Sequence, residues 1–259
     1  MITIGIDLGT QSVKALLLKD GAVLARSQAF SGFDPAKAAE QAVAEALKKA
    51  QLSLKDVNHV TATGSGMDMS PYANSTISMM GADAKAGVHL FPNAKTIIDI
   101  GAEEARAVKC DEKGIMIDFI VNERCAAGAG TFIEAMARAL EVKLEEMGPL
   151  SLKAERASSI NATCVIFGES DVVTLIHRQE PKPEIARAIF DAMADRISSM
   201  VYRLGVNPDV VLVGGVAKDV GFVASLKRKL GIDILIPEHP EFAGALGAAL
   251  IAASRAKKV

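Results

Sequence analysis

Apolar and polar positions alternate with a period of two at the start of the chain, then give way at intervals to the three- and four-residue spacing of buried helix faces. Residues 2–18 read as strand, tight turn and strand, with apolar and β-branched residues on both sides of Asp7-Leu8-Gly9-Thr10-Gln11-Ser12. Asp20-Gly21 closes a hairpin onto a further strand over 22–29. Asp34 stands at an N-cap with Pro35 in the first helical position, which predicts a helix to about Gln51. A strand over 58–62 ends in Thr63-Gly64-Ser65-Gly66. A Met- and Ser-rich stretch follows, then a helix over 78–90.

After the break at Phe91-Pro92-Asn93-Ala94 the opening pattern returns. Ile98-Asp99-Ile100-Gly101 repeats Ile6-Asp7-Leu8-Gly9 at an offset of 92, and at the same offset Arg106 falls on Lys14, Ala107 on Ala15 and Val108 on Leu16. Lys113-Gly114 supplies a turn one residue out of step with Asp20-Gly21. The shared Asp, the Gly two residues later and the same downstream turn point to an internal duplication. It divides the chain into 1–94 and 95–259, with the last helix able to pack back on the first half.

The second half carries one unusual stretch. Asn122-Glu123-Arg124-Cys125-Ala126-Ala127-Gly128-Ala129-Gly130-Thr131 runs into a helix whose Phe132, Met136 and Leu140 share a face. Cys125 thus sits just ahead of a helix N-terminus, where N–H groups and the helix dipole favour a thiolate or another anion. Taken alone, the stretch reads equally well as a glycine-rich turn with a small buried cysteine. Thr163-Cys164 leads into Val165-Ile166-Phe167-Gly168-Glu169-Ser170. Pro183-Glu184 then opens a long helix with Ile185, Ile189, Met193, Ile197, Met200, Val201 and Leu204 on its apolar side. A buried strand over 210–213 ends at Gly214-Gly215-Val216-Ala217. A helix, a strand over 232–236 and a last helix rich in Gly and Ala complete the chain.

Composition narrows the classes. The 259 residues suffice for two modest cores, and 50% hydrophobic with 23% charged residues is a globular balance. A net charge of -2 without a basic cluster argues against nucleic acid. No apolar run approaches the roughly 20 residues that span a bilayer, and no basic stretch precedes the first strand, so neither a membrane segment nor a signal peptide is expected. Cys110, Cys125 and Cys164 are an odd, scattered set rather than a disulfide framework, which makes the cytoplasm the expected location. Cys110 falls opposite Leu18 in the repeat and is assigned to the core. The scattered histidines and the lack of Cys-x-x-Cys argue against zinc, and His177 reads as structural.

A hairpin turn bearing Asp, Gly and hydroxyls can wrap phosphates in backbone N–H groups while its carboxylate holds Mg²⁺ through water. Two such turns facing one another would grip a triphosphate, and Gly214-Gly215 after a hydrophobic strand suits a third contact. No Walker-type loop is present. This arrangement resembles the actin, sugar-kinase and heat-shock-chaperone ATPase superfamily over nearly the whole chain. The resemblance implies an α/β fold of two ribonuclease-H-like domains of duplicated origin, mixed sheets flanked by helices, around an ATP cleft. It implies nucleotide contacts from Asp7, Gly9, Thr10, Gln11, Ser12, Asp99, Gly101, Ala102, Glu103, Gly214, Gly215, Val216 and Ala217. Lys14 either approaches phosphate or, on an alternating strand, faces solvent.

The stretch from Asn122 to Gly130 together with Thr163-Cys164 is similar to the cluster motifs of one ATPase family, the activators of 2-hydroxyacyl-CoA dehydratases and the ATPase subunits of benzoyl-CoA reductase. What that similarity implies is one [4Fe-4S] cluster per dimer, held by Cys125 and Cys164 of each chain in turns that include Gly128 and Gly130. Two thiolates doubled by a two-fold axis supply the four such a cluster takes. The implied partners are an iron–sulfur dehydratase or reductase component acting on a CoA thioester and a ferredoxin-type electron donor. At the second phosphate loop this chain has Gly101-Ala102-Glu103-Glu104 where the activators commonly carry Gly-Gly-Gln-Asp. The added carboxylate repels phosphate unless Mg²⁺ intervenes, and the Gly-Ala pair leaves a heterodimer with a related subunit open beside a homodimer. Glu169 is a candidate for ordering Mg²⁺ or water, or else a surface carboxylate. Two rival functions remain at this level: a small-molecule kinase of the same fold, and a nucleotide-binding partner subunit with little hydrolysis.

Overall fold

The computed structural model describes residues 1–122, 129–156, 158–160 and 164–257. Its strands are β1 (Ile2–Leu8), β2 (Ser12–Lys19), β3 (Ala22–Phe30), β4 (His59–Thr63), β5 (Ser75–Thr76), β6 (Thr96–Ile100), β7 (Ala105–Cys110), β8 (Met116–Asn122), β9 (Val210–Val213) and β10 (Ile234–Leu235). Its α-helices are α1 (Pro35–Ala50), α2 (Met79–Leu90), α3 (Gly130–Ala139), α4 (Leu144–Ser151), α5 (Val165–His177), α6 (Lys182–Leu204), α7 (Val220–Leu230) and α8 (Ala243–Ala256). They fall into two compact units, Met1–Ile97 with Val108–Asp118 and Pro237–Val259, and Ile98–Ala107 with Phe119–Ile236. Beyond the boundary expected at 94/95, the first unit also takes 108–118, together with 95–97, and 237–259, where the last helix packs back on it as the sequence allowed. Backbone contacts tie the first of these segments to the opening unit: the Cys110 N–H donates to the Lys95 carbonyl, and Gly114 lies against Ala84.

In the first unit the sheet order is β3-β2-β1-β4-β5. The two hairpins are antiparallel, and β4 joins β1 in parallel, as a strand reached through a helix does. Ile4, Ile6 and Leu8 alternate onto the face covered by α1, whose Ala38, Ala39, Ala42, Val43 and Ala46 are buried. The helix starts where the caps predicted, with the Asp34 carboxylate accepting the Lys37 N–H at 3.0 Å. Gly5 takes the opposite face. There α8 approaches so closely that a Cβ on Gly5 would lie 1.9 Å from the Ala245 carbonyl oxygen. The small residues of α8 permit this contact, and the Thr3 hydroxyl donates to the Ala249 carbonyl beside it.

The second sheet has the order β10-β9-β6-β7-β8. Ile98, Ile100, Ala105 and Ala107 share a core with Phe132, Met136 and Leu140 of the α3 segment. Every apolar position predicted for α6 is buried in the same core. Two helices escaped the sequence reading. In α4, Pro149 sits inside the helix, and α5 is apolar on more than one side, leaving Ile166 and Phe167 75% and 59% exposed. His177 is exposed at the end of α5. No helix among the described residues is long and apolar enough to cross a membrane.

Cys110 is buried as expected, its Sγ 3.7 Å from the Ala94 carbonyl oxygen. Burial, reinforced by Asp111, pushes its thiol up to about 11. Two predictions follow from this packing. At pH 8 an alkylating reagent will leave Cys110 unmodified in the folded protein and label it at an ordinary rate in urea, as peptide mass spectrometry will read. Replacing Gly5 with Ala forces Cβ into the α8 backbone, and urea denaturation is expected to show a loss of about 2–3 kcal/mol.

Candidate functional site

The first phosphate-loop candidates all lie at the head of the β1–β2 hairpin. Asp7 pairs with Lys14 across the two strands, and the Lys14 Nζ stands 3.5 Å from the Asp7 Oδ2. Lys14 therefore does not face solvent: its side chain is 14% exposed and its ammonium also donates to the Ser12 carbonyl at 3.4 Å. Thr10 and Gln11 are exposed at the tip. Ser31, just past β3, fixes the loop from behind. Its N–H donates to the Gln11 carbonyl at 3.1 Å and its hydroxyl to the Gly9 carbonyl at 2.7 Å. Because a trans peptide is planar, with its N–H antiparallel to its C=O, engaging those two carbonyls aims the N–H groups of Thr10 and Ser12 away from Ser31. That is the donor presentation a phosphate needs.

The second set repeats this plan in the other unit. Asp99 is the last residue but one of β6 and is almost fully buried. Its Oδ2 pairs with a guanidinium nitrogen of Arg106 on β7, and Arg106 reaches Glu104 at 3.3 Å with its other terminal nitrogen. The Gly101 N–H closes the turn on the Glu104 carbonyl at 2.9 Å, while Glu103 is exposed. Gly214 and Gly215 follow β9 as predicted, but only the first needs to be glycine for the fold. Gly214 has φ +88°, and a Cβ there would lie 2.3 Å from both the Asp99 Oδ1 and the Ile100 carbonyl oxygen. A Cβ on Gly215 would meet nothing within 4 Å, so its bare backbone leaves room for a ligand. Val216 and Ala217 turn inward and are buried.

Loop two is joined to α3 by backbone hydrogen bonds. The N–H groups of Gly130 and Thr131 each donate at 2.9 Å, to the carbonyls of Gly101 and Ala102. The loop thereby caps two of the donors a helix N-terminus leaves unpaired. The Gly130 N–H is thus already engaged by loop two. By the same planarity argument, the N–H groups of Ala102 and Glu103 point away from α3. Helix α5 packs on α3 in turn, and a Cβ on Gly168 would come within 3.0 Å of the Phe132 ring and 3.2 Å of the Met136 sulfur.

Cys164 is the N-cap residue of α5, half-buried, and its side chain makes no capping bond. Cys125 and Gly128 lie outside the described residues. Glu169 is half-buried in the second turn of α5, on a helix rather than on either loop. Among the described residues no group of three or more His, Cys, Asp or Glu is placed to hold a metal ion. Sequence reasoning missed Ser31 and the capping of α3 by loop two. It did align Arg106 with Lys14, which was the available signal for the repeated ion pair.

A model of the BadF/BadG/BcrA/BcrD ATPase family matches residues 4–252. The chain is 37% identical over 258 residues to the activator of lactoyl-CoA dehydratase from Anaerotignum propionicum, covering 100% of both. Component A of (R)-2-hydroxyglutaryl-CoA dehydratase from Acidaminococcus fermentans has the same structure at a TM-score of 0.95, with 32% identity over 99% of each chain. The activator of 2-hydroxyisocaproyl-CoA dehydratase from Clostridium difficile, solved with bound ADPNP, gives 0.94 and 35% over 100% of this chain and 96% of that one. The fold is the duplicated one of the actin and sugar-kinase ATPases.

The glycine pair gives a separable prediction. Gly215→Ala will keep stability within about 0.5 kcal/mol, since its Cβ meets no neighbour, yet weaken binding of a fluorescent ATP analogue severalfold. Gly214→Ala will cost about 3 kcal/mol through the left-handed backbone and the overlap with Asp99. Thermal melts and analogue titrations on the two variants will read both effects.

Proposed function

Because the chain belongs to the BadF/BadG/BcrA/BcrD ATPase family, we propose that it uses ATP to deliver one low-potential electron from a dimer-bridging [4Fe-4S] cluster to an iron–sulfur enzyme acting on a CoA thioester. That partner is a 2-hydroxyacyl-CoA dehydratase or a benzoyl-CoA reductase component, and a ferredoxin-type protein restores the electron.

The observation that carries this reading is the continuous run of contacts from loop two through α3 to α5. The nucleotide would be bound by Asp7, Gly9, Thr10, Gln11, Ser12, Lys14, Asp99, Gly101, Ala102, Gly214 and Gly215. Asp7 and Asp99 would hold Mg²⁺ through water, their oxygen donors suiting a hard cation. A phosphate drawn to the N–H groups of Ala102 and Glu103 pulls on the same peptide planes whose carbonyls cap Gly130 and Thr131. The first turn of α3, which follows the Cys125 stretch directly, feels that pull. Gly168 passes it to α5 and Cys164 through Phe132 and Met136. Glu103 is exposed, so water solvates its charge.

Of the two implied ligands, Cys164 lies among the described residues and suits the cluster. Cys164 heads a 13-residue helix whose N-terminal N–H groups would favour the negative charge of a cluster held there, and its side chain makes no capping bond. Cys125 and Cys164 would hold the cluster in duplicate across a two-fold axis, and the exposed Ile166 and Phe167 give a second copy an apolar surface to cover. When bound, the cluster supplies a one-electron redox centre of low potential.

Protein purified without oxygen is expected to be brown, with about two iron atoms per chain and a native mass of a dimer. Cys164→Ser will lose the iron and keep its affinity for an ATP analogue. A colourless wild-type protein that still turns over ATP overturns the proposal.

A further inference from the structure

The repeat places a cation beside each loop carboxylate, but the two cations differ in kind. Lys14 is a point charge 3.5 Å from Asp7. Arg106 is a planar fork that holds two carboxylates at once, Asp99 through one terminal nitrogen and Glu104 through the other. Asp99 is further confined on its other oxygen, because Oδ1 lies directly against the Gly214 backbone, where no Cβ could fit. Both carboxylate oxygens therefore have a fixed neighbour. The ion pair is shielded, with the Arg106 and Asp99 side chains 11% and 10% exposed. A pair so enclosed keeps its geometry better than a surface bridge, and the fork sets angle as well as distance.

We propose that Arg106 is a positioning residue for the metal–nucleotide site: it sets the angle of the Asp99 carboxylate and offsets one of the two charges of the Asp99–Glu104 pair, which lowers the repulsion a polyphosphate meets at loop two. This rests on the reading of Asp99 as a Mg²⁺-water ligand and goes beyond it, since Arg106 would act through Asp99 rather than on the nucleotide or the metal itself. Lysine in its place keeps one positive charge but cannot hold both carboxylates in one plane. Glutamine removes the charge and leaves two acids facing the phosphates, so it weakens nucleotide binding even without metal.

The test is a titration rather than a rate alone. A fluorescent ATP analogue is bound to wild type, Arg106→Lys, Arg106→Gln, Glu104→Gln with Arg106→Gln, and Asp99→Asn, first in EDTA and then across Mg²⁺ concentrations. Arg106→Lys is expected to bind the analogue in EDTA within twofold of wild type, yet to need about tenfold more Mg²⁺ for half of the Mg²⁺-dependent gain, the scale of losing a partner that orients a ligand. Arg106→Gln will bind several times more weakly in EDTA, and adding Glu104→Gln will restore most of that loss. If both Arg106 variants titrate Mg²⁺ like wild type while Asp99→Asn does not, the positioning role is wrong and the site reading stands. If Asp99→Asn also titrates like wild type, the site reading itself has failed. Loss of folding in Arg106→Lys, read by its thermal midpoint, assigns the residue to structure and also overturns the proposal.

Discussion

Two backbone hydrogen bonds, from Gly130 and Thr131 to the carbonyls of Gly101 and Ala102, join the phosphate loop to the helix that follows the cysteine stretch. A helix N-terminus must find partners for its unpaired N–H groups, and the usual solution is a Ser, Thr, Asp or Asn at the N-cap. Here the N-cap residue is Ala129, which has no side chain for the task. The loop does the capping instead, so neither element can move without the other losing two bonds. An ordinary capping side chain would have uncoupled them. The alanine is thus as informative as the motif around it.

The duplication explains why the same devices occur twice. Gly64 after β4 and Gly214 after β9 both adopt positive φ, +94° and +88°, and both lie where a Cβ would strike the backbone at the end of the neighbouring strand, at Leu8 and at Ile100. Asp7 with Lys14 and Asp99 with Arg106 occupy equivalent places on their hairpins. An acid at the mouth of a phosphate loop is a liability as a bare charge, and a buried cation beside it removes the repulsion while preserving its oxygens for a metal. The second copy has the larger burden, since Glu104 adds a further carboxylate, and the larger cation stands there.

Much of this was readable in advance, and the reasons are physical. Asp34-Pro35, the alternation of Ile4, Ile6 and Leu8, and the spacing from Ile185 to Leu204 each express a local rule that the fold then obeys. The offset of 92 exposed the halves because paired hairpins constrain their turn residues strongly. What stayed hidden depended on the third dimension. Helix α5 lacks a one-sided pattern, having apolar residues on the side that meets α3 and on the side left exposed, so periodicity could not announce it. Nothing beside Ser31 or Ala129 in sequence announces what each does: Ser31 acts on the distant carbonyls of Gly9 and Gln11, and Ala129 leaves the capping of α3 to loop two. Gly214 and Gly215 looked like one motif, but one glycine answers to packing and the other leaves space.

The exposed side of α5 connects that hidden feature to the proposed chemistry. Ile166 and Phe167 lie two and three positions after Cys164, and large apolar side chains so exposed favour a covering surface at roughly 25 cal/mol for each Å² removed from water. In a two-fold dimer centred near Cys164 the covering surface would be the same face of a second copy, since an isologous interface sets a patch against itself. Burying that face and bringing the second pair of thiolates to the first would then be one event. The apolar residues would drive association, and the thiolates would gain a drier surround in which a change at α3 acts on the sulfurs with less screening. A kinase of this architecture would have no use for a cysteine at the head of such a helix. Here the cysteine and the apolar face occur together, in the helix that loop two reaches through α3.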